Sequence, residues 1–485
     1  MASKTYNNFH LGVAQDNHKT WGKPFIDSKN LDWLNTGYWV TLWPKPNKLF
    51  YTTSPMRGLY FTPLTSTILN ERHVTFWDNW EVYVLWLASD DTPTYTFPWT
   101  VRGSFNTNTY YYFLFSVWGS NIDLARCLSN DVYNGSFASI DLTFSTAFVN
   151  HFDNPPILEV DNVFYIGWLG RVRNITNNVI WTDFQAVDRY VTWITKHITQ
   201  FILYTSENRT YYVTEGAILT GGSNSWSNIL DFQPRRVGQT ANSDYILTRE
   251  WELQVWSGTN TQQLSKKFKS NRLEDNTSYK TVFNFDIGTG IAWDMITFVN
   301  DRVYLVVNGD KPWIMVYGKL IPWVHNSFHN IINTNSDWDD FTAVYAVWYE
   351  HTTDRIYYTY STATKNGIDY IDVNSKETNN FWYGITEIFS ANTSFLKEPK
   401  QIRVTADNTN GDNFVNLYVR VNNWVWELIK TINDASAIVK RYEALNKVKK
   451  ENIDIQFKVE LNNELKWESA PLMQELFYEY NVIPK

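Results

Sequence analysis

The stretch Ile296–Tyr317, ITFVNDRVYLVVNGDKPWIMVY, is the unit that most limits what this chain can become. Ile296–Val299 is apolar and strand-like, and Asn300-Asp301 is a turn pair. Val303–Val307 is apolar on both faces, as a strand buried inside a stack of sheets must be. Asn308-Gly309-Asp310 turns the chain again, and Trp313–Tyr317 gives a third strand. A meander of three short strands cannot bury both of its faces alone, so it needs copies of itself.

The copies are in the sequence. A turn residue followed three places later by Tyr occurs as Asn162/Tyr165, Asn208/Tyr211, Asp301/Tyr304 and Asp354/Tyr357, with a looser member at Asn79/Tyr83. Two of the gaps between these turns are about 46–53 residues, and the other two are close to twice that. Degenerate members near 120 and 255 (YYYFLFSVWGSNIDLARCL and YILTREWELQVWSG) fill the long gaps. Seven units of roughly 45 residues have the spacing of β-propeller blades, each a four-stranded sheet. The competing reading is an ordinary all-β sandwich with similar hairpins, and the regular spacing favours the propeller.

Bulk properties agree with an all-β chain. At 485 residues it is too long for one sandwich and suits a propeller plus a second domain. Trp (24), Tyr (30) and Phe (29) make up 17 % of the chain, which favours strands over helices. Gly is only 21, so Asn, Asp, Ser and Thr do most of the turning. A net charge of −8 argues against general nucleic-acid binding through phosphates. The single Cys127 excludes an internal disulfide framework and reads as a core residue. The start, MASKTYNNFHLG, has no apolar leader, and no run approaches 18 apolar residues, so neither a signal peptide nor membrane insertion is expected.

Three regions follow. Residues 1–44 lack the repeat and read as an extended arm with a strand, punctuated by Trp33, Trp39 and Trp43, entering the first blade. Residues 45–380 carry the propeller; seven blades fit best, and six or eight are the neighbouring counts. The polar run Gln262–Asn276, with Lys266, Lys267, Lys269 and Arg272, reads as a solvated loop. Residues 381–485 read as a C-terminal β-sandwich. Within it, Ile438, Tyr442 and Leu445 fall at helical spacing, so Asp434–Asn446 reads as a short amphipathic helix, with an irregular strand as the other option. Ile453–Leu461 alternates: Ile453, Ile455, Phe457, Val459 and Leu461 face the core, and Asp454, Gln456, Lys458 and Glu460 face solvent.

The tail also carries a resemblance. The run IDIQFKVELNN, a loop, and then APLMQELFYEYNVI resembles the ending of tailed-bacteriophage propeller proteins, among them tail hub, stabilisation and nozzle proteins. The approach to it, FWYGITEIF, KEPKQIRV and VNLYVRVNNWVWELIKTI, is similar as well, as is the extended opening. The resemblance implies a β-sandwich packed beside the propeller and a structural place in the virion.

No motif of chemistry competes strongly with that. His325 and His329 have the spacing of two zinc ligands on a helix, but Pro322 and the NSFHNIINTN context favour a loop. Asn333, Asn335, Asp337 and Asp339 alternate like a calcium loop, without its Gly or its closing Glu. Asp407–Asp412 offers hard oxygens but reads as a turn. Glu81, Glu159, Glu215, Glu250 and Glu350 lie in or beside strands and could supply a glycosidase pair only if two of them converged.

The expectation is therefore a non-enzymatic structural protein of a tailed-phage neck or tail, made in the bacterial cytoplasm, with no catalytic, cofactor or metal residues. Its partners would be copies of itself in a ring and adjacent tail proteins, with DNA only passing through a channel. The alternative is a carbohydrate-active or glycan- and receptor-binding propeller.

Overall fold

In a computed structural model, the chain is described through its strands, one helix and the longer runs 44–56, 89–106, 109–116, 121–142, 312–318, 327–350, 354–375, 396–407, 409–422, 425–433, 454–464 and 471–483. It is a β-propeller. Among the described residues, seven antiparallel meander sheets follow one another, their first strands opening at Gly58, Thr100, Ile157, Val191, Pro234, Ile296 and Ala343. The first strands stand side by side. Gly58–Phe61 lies against Thr100–Asn106, Val191–His197 against Pro234–Gln239, and Ile296–Val299 against Ala343–Glu350. The ring returns on itself where Ala343–Glu350 also meets Gly58–Phe61. The first strand of each sheet is thus the inner one, and the last strand is the outer.

The repeat signature proves to mark two different hairpins. Around positions 162, 301 and 354 the flanking strands are the first and second of their sheets. Around 79, 120, 208 and 255 they are the second and third. Equal local texture at unequal positions explains the uneven gaps. Of the signature tyrosines, Tyr83, Tyr165, Tyr304 and Tyr357 are buried, and Asp354 turns its hairpin with φ 53°.

Aromatic packing fills the space between sheets. Between the first and second, Phe97, Tyr111, Phe113, Phe115 and Phe137 share a core with Val82 and Val84, and Trp99 stacks on Phe115 at 5.0 Å. Each such side chain contributes about 1.5–3 kcal/mol through burial. Cys127 belongs to this core, fully buried with Sγ 3.4 Å from Ser139 Oγ, and burial raises its thiol pKa. The helix Ser129–Tyr133 packs on the same sheet through Val132 and Tyr133.

Two further sheets hold the chain's ends. One runs Ala2–Tyr6, Leu472–Ile483, Leu396–Asp407, Val439–Glu443. The other runs Phe25–Lys29, Phe381–Thr386, Ile455–Asn463, Asn413–Val421, Glu427–Ile432. They share one core, with Ile402, Leu476 and Tyr478 from the first sheet and Leu417, Phe457 and Val459 from the second.

Several expectations are corrected here. Within the N-terminal region, Ala2–Tyr6 and Phe25–Lys29 give one strand to each terminal sheet. The entry strand Thr41–Leu42 pairs with Leu31–Asp32 and not with the first propeller sheet. The strand after it, Asn47–Thr52, completes the seventh sheet, against Asn366–Asp372. The helix read at Asp434–Asn446 is a strand, Val439–Glu443, because its backbone pairs with Leu396–Asp407 and places Tyr442 opposite Ile402. A ladder along a sheet edge outweighs a marginal helical period.

The alternating strand is half right. Ile455, Phe457, Val459 and Leu461 are core residues, but Gln456 and Glu460 are buried too. Gln456 accepts from Arg420 Nε at 3.2 Å and donates to the Thr386 carbonyl at 2.7 Å. Lys458 Nζ lies 2.9 Å from Glu460 and faces the rings of Tyr383 and Tyr418. The polar face of this strand is a hydrogen-bonded layer and not a solvated surface. Ile453 lies outside the described residues.

Candidate functional site at the ring seam

The seam between the seventh and first sheets concentrates buried polar and charged groups. Its centre is the closing strand Asn47–Thr52, drawn from the far end of the sequence into the outer position of the seventh sheet. Phe50 points inward and joins Met56, Tyr83, Ala346, Tyr357 and Ile368 in a core that spans both sheets. Thr53 adds a polar tie, its Oγ1 2.6 Å from the Glu81 carboxylate of the first sheet.

An exposed strand edge is a template for unwanted pairing. Here a loop of the first sheet covers it. Tyr51 donates its N–H to Asp90 Oδ1 at 2.9 Å, and its carbonyl accepts the Asp91 N–H at 3.0 Å. Lys48 Nζ reaches Asp90 Oδ2 at 2.7 Å, which raises the lysine pKa and lowers that of the carboxylate.

On the other side the turn 333–342 folds over the seventh sheet. Asn335 Oδ1 accepts the N–H groups of Asp337 at 3.0 Å and Asp339 at 2.8 Å, which shapes the turn. Asp337 reaches outward to the Tyr51 hydroxyl and to Lys365 Nζ at 2.6 Å, and these two donors lower its pKa, Lys365 foremost. The Tyr51 ring lies between two ammonium groups, Lys48 at 4.4 Å and Lys365 at 4.5 Å.

Beneath the turn is Asp369, with no solvent exposure. Its Oδ2 accepts the Ser336 N–H at 2.7 Å, and its Oδ1 accepts the Tyr360 hydroxyl at 3.2 Å. Burial raises its pKa to about 7, against the lowering effect of these hydrogen bonds. Tyr360 is raised as well, first by burial and then by Asp369. No local sequence signal pointed to Asp369, which sits in NGIDYID between apolar neighbours.

The sequence candidates fall as follows. Of the calcium-like pattern, Asn335 Oδ1 is engaged in shaping the turn, and Asp337 Oδ2 holds the Tyr51 hydroxyl and Lys365. Asn410 Oδ1 accepts the N–H groups of Asp412 and Asn413, which turns the chain just before the strand Asn413–Val421. His329 lies in the strand Ser327–Ile332, opposite Val316, which removes the helical zinc spacing; His325 lies outside the described residues. Among the candidate acids, Glu81 bonds Thr53, Glu159 is in the strand Ile157–Val160, and Glu350 is buried at the end of its strand. Glu215, Glu250 and the Lys266–Arg272 cluster lie outside the described residues. Among the described residues no three His, Cys, Asp or Glu side chains group as metal ligands, and no helix is long and apolar enough to cross a membrane.

No protein-family model matches this chain, and no curated protein does. Among solved structures it is similar to the WD40 β-propeller domain of Doa1, with a TM-score of 0.45 and 10 % identity over 69 % of this chain and 98 % of that one. It is also similar to BBS1N, solved in complex with ARL6DN, with a TM-score of 0.43 and 10 % identity over 69 % and 98 %. The β-propeller domain of Myceliophteria thermophila Cps50 (Swd1) gives a TM-score of 0.43 and 9 % identity over 68 % and 100 %. The likeness is one of fold.

Proposed function

We propose that this chain is a structural protein of a tailed-bacteriophage virion, a hub, nozzle or stabilisation component of the neck or tail. In this reading the seven meander sheets are seven blades, and the two terminal sheets are a β-sandwich docked beside them. One observation carries the proposal. The two runs that resemble the tail-protein ending form Ile455–Asn463 and Leu472–Ile483, interior strands of the two terminal sheets, so the resemblance falls on the framework of that unit. The N-terminal segment supports the same reading. It pairs into both terminal sheets and into the seventh propeller sheet, which ties the start of the chain to both by backbone ladders. The partners are copies of the chain in a ring and neighbouring tail proteins, with DNA passing through the ring's channel.

The test is particle-level. Antibody raised against the purified chain should label the neck or tail of virions, and the chain should be present at several copies per particle. Absence from purified particles would overturn the proposal, and so would release of reducing sugar from host polysaccharide above a heat-killed control.

A further inference from the structure

Asp369 and the turn above it form a device that the structural reading does not call for and that does not depend on it. A fully buried carboxylate needs compensating donors or a cation. Asp369 has two donors, the Ser336 N–H and the Tyr360 hydroxyl. Among the described residues, the charged and titratable groups around it offer no counter-charge. In register on the closing strand stands Lys48, but its ammonium is 2.7 Å from Asp90. Lys365 is engaged with Asp337 and with the Tyr51 hydroxyl. The neighbouring strand presents Tyr358 and Tyr360, both buried phenols. The turn presents Asp337, whose negative charge further disfavours ionisation of Asp369; Asp339 and Asp340 complete its acids.

The turn is bound at two levels: inside through Ser336 to Asp369, and outside through Asp337 to Tyr51 and Lys365. Whatever lifts the inner contact therefore strains the outer one, which grips the closing strand.

We propose that the turn 333–342 is a proton-operated latch on the closing strand, shut while the Asp369 carboxyl is neutral and opening when it ionises. The two hydrogen bonds only partly offset a charge buried without a counter-cation, and lifting the turn would let water complete its solvation. Lifting withdraws Asp337 from Tyr51, and the outer strand of the seventh sheet loosens at the seam.

Hydrogen exchange read by mass spectrometry on the intact chain tests this. After correction for the intrinsic rate, protection of peptides covering 333–342 and 47–52 should fall by up to about tenfold per pH unit from about 4.5 to 6.5 and level off above about 7. The peptide covering 455–463, in a terminal sheet, should not change. In Asp369→Asn the fall should vanish, while Asp337→Asn should keep it. Equal slopes in the turn and the reference peptide, or an unchanged slope in Asp369→Asn, would overturn the latch. Should Asp369→Asn not fold, the infrared carbonyl band of protonated carboxylic acid in the wild-type chain decides. Its persistence to about pH 7 supports the latch, and its complete loss in the ordinary carboxylate range overturns it.

Discussion

The ring of Phe50 lies on the ring of Tyr83, centroids 5.2 Å apart and planes 17° from parallel, although one belongs to the seventh sheet and the other to the first. This contact closes the circle. Both residues are buried, so truncating either leaves a cavity that neither sheet can fill. Phe50→Ala should cost about 3–5 kcal/mol in chemical denaturation. Paired with Tyr83→Ala, the double mutant should lose less than the sum of the singles by about 0.5–1.5 kcal/mol, the coupling of a stacked aromatic pair. Strict additivity would mean that the two rings do not support each other.

Gly367 lies at the same seam for lack of room. A Cβ there would come 2.9 Å from the Tyr360 hydroxyl oxygen and 3.1 Å from the Phe50 carbonyl oxygen. The first atom is held by Asp369 and the second is backbone of the closing strand, so neither retreats freely. Gly367→Ala should destabilise by about 1–3 kcal/mol. Gly411→Ala is the control, since nothing lies within 4 Å of a Cβ there, and it should stay within about 0.5 kcal/mol of wild type. Equal melting temperatures for the two variants would refute this account of the seam.

Local texture made the strands legible, and long-range pairing was what stayed hidden. Val303–Val307 and Phe457 advertise themselves through apolar runs and alternation, because those patterns follow from burial of the residues themselves. Nothing in NKLFYT says that its partner is Asn366–Asp372, more than 300 residues later, since a hydrogen-bonded ladder leaves no trace in either strand alone. The same applies to Val439–Glu443, where the spacing of Ile438, Tyr442 and Leu445 leaves helix and irregular strand both open, and pairing with Leu396–Asp407 decides for the strand. Alternation predicts that Gln456 faces solvent, and no local pattern marks Asp369 at all. Polarity does not mean exposure here: both residues are buried, with partners supplied by segments distant in sequence.

Gln456 and Phe457 make that lesson measurable. Phe457 is in the shared core, 5.3 Å from the Tyr478 ring, and Phe457→Ala should cost about 3–5 kcal/mol. Gln456 points to the opposite face, yet Gln456→Ala would strip hydrogen bonds from the buried Arg420 and from the Thr386 carbonyl. About 1–3 kcal/mol should be lost. A neutral Gln456→Ala would return that face to solvent and contradict the packing.

Acid should act on the seam in two opposite directions. Burial holds the folded-state pKa of Asp369 at about 7, above the ordinary 3.8, so its contribution to stability is fully present below the ordinary value and is lost as pH rises through about 7. Asp90 and Asp337 run the other way. Their pKa values are lowered, through Lys48 and Lys365 respectively, so their contributions are present above the ordinary range and vanish as pH falls below it. These surface pairs are half-exposed and individually weak. Stability measured by urea denaturation should therefore rise as pH drops from about 7 toward about 4, by an upper limit of roughly 4 kcal/mol. Below that it should turn down as the surface carboxylates protonate. Asp369→Asn should flatten the rise and keep the acid limb, and Lys365→Met should soften the acid limb and keep the rise. A wild-type curve that climbs steadily from pH 4 to 7, as for a protein whose carboxylates are all lowered, would show that Asp369 is ionised in the folded chain.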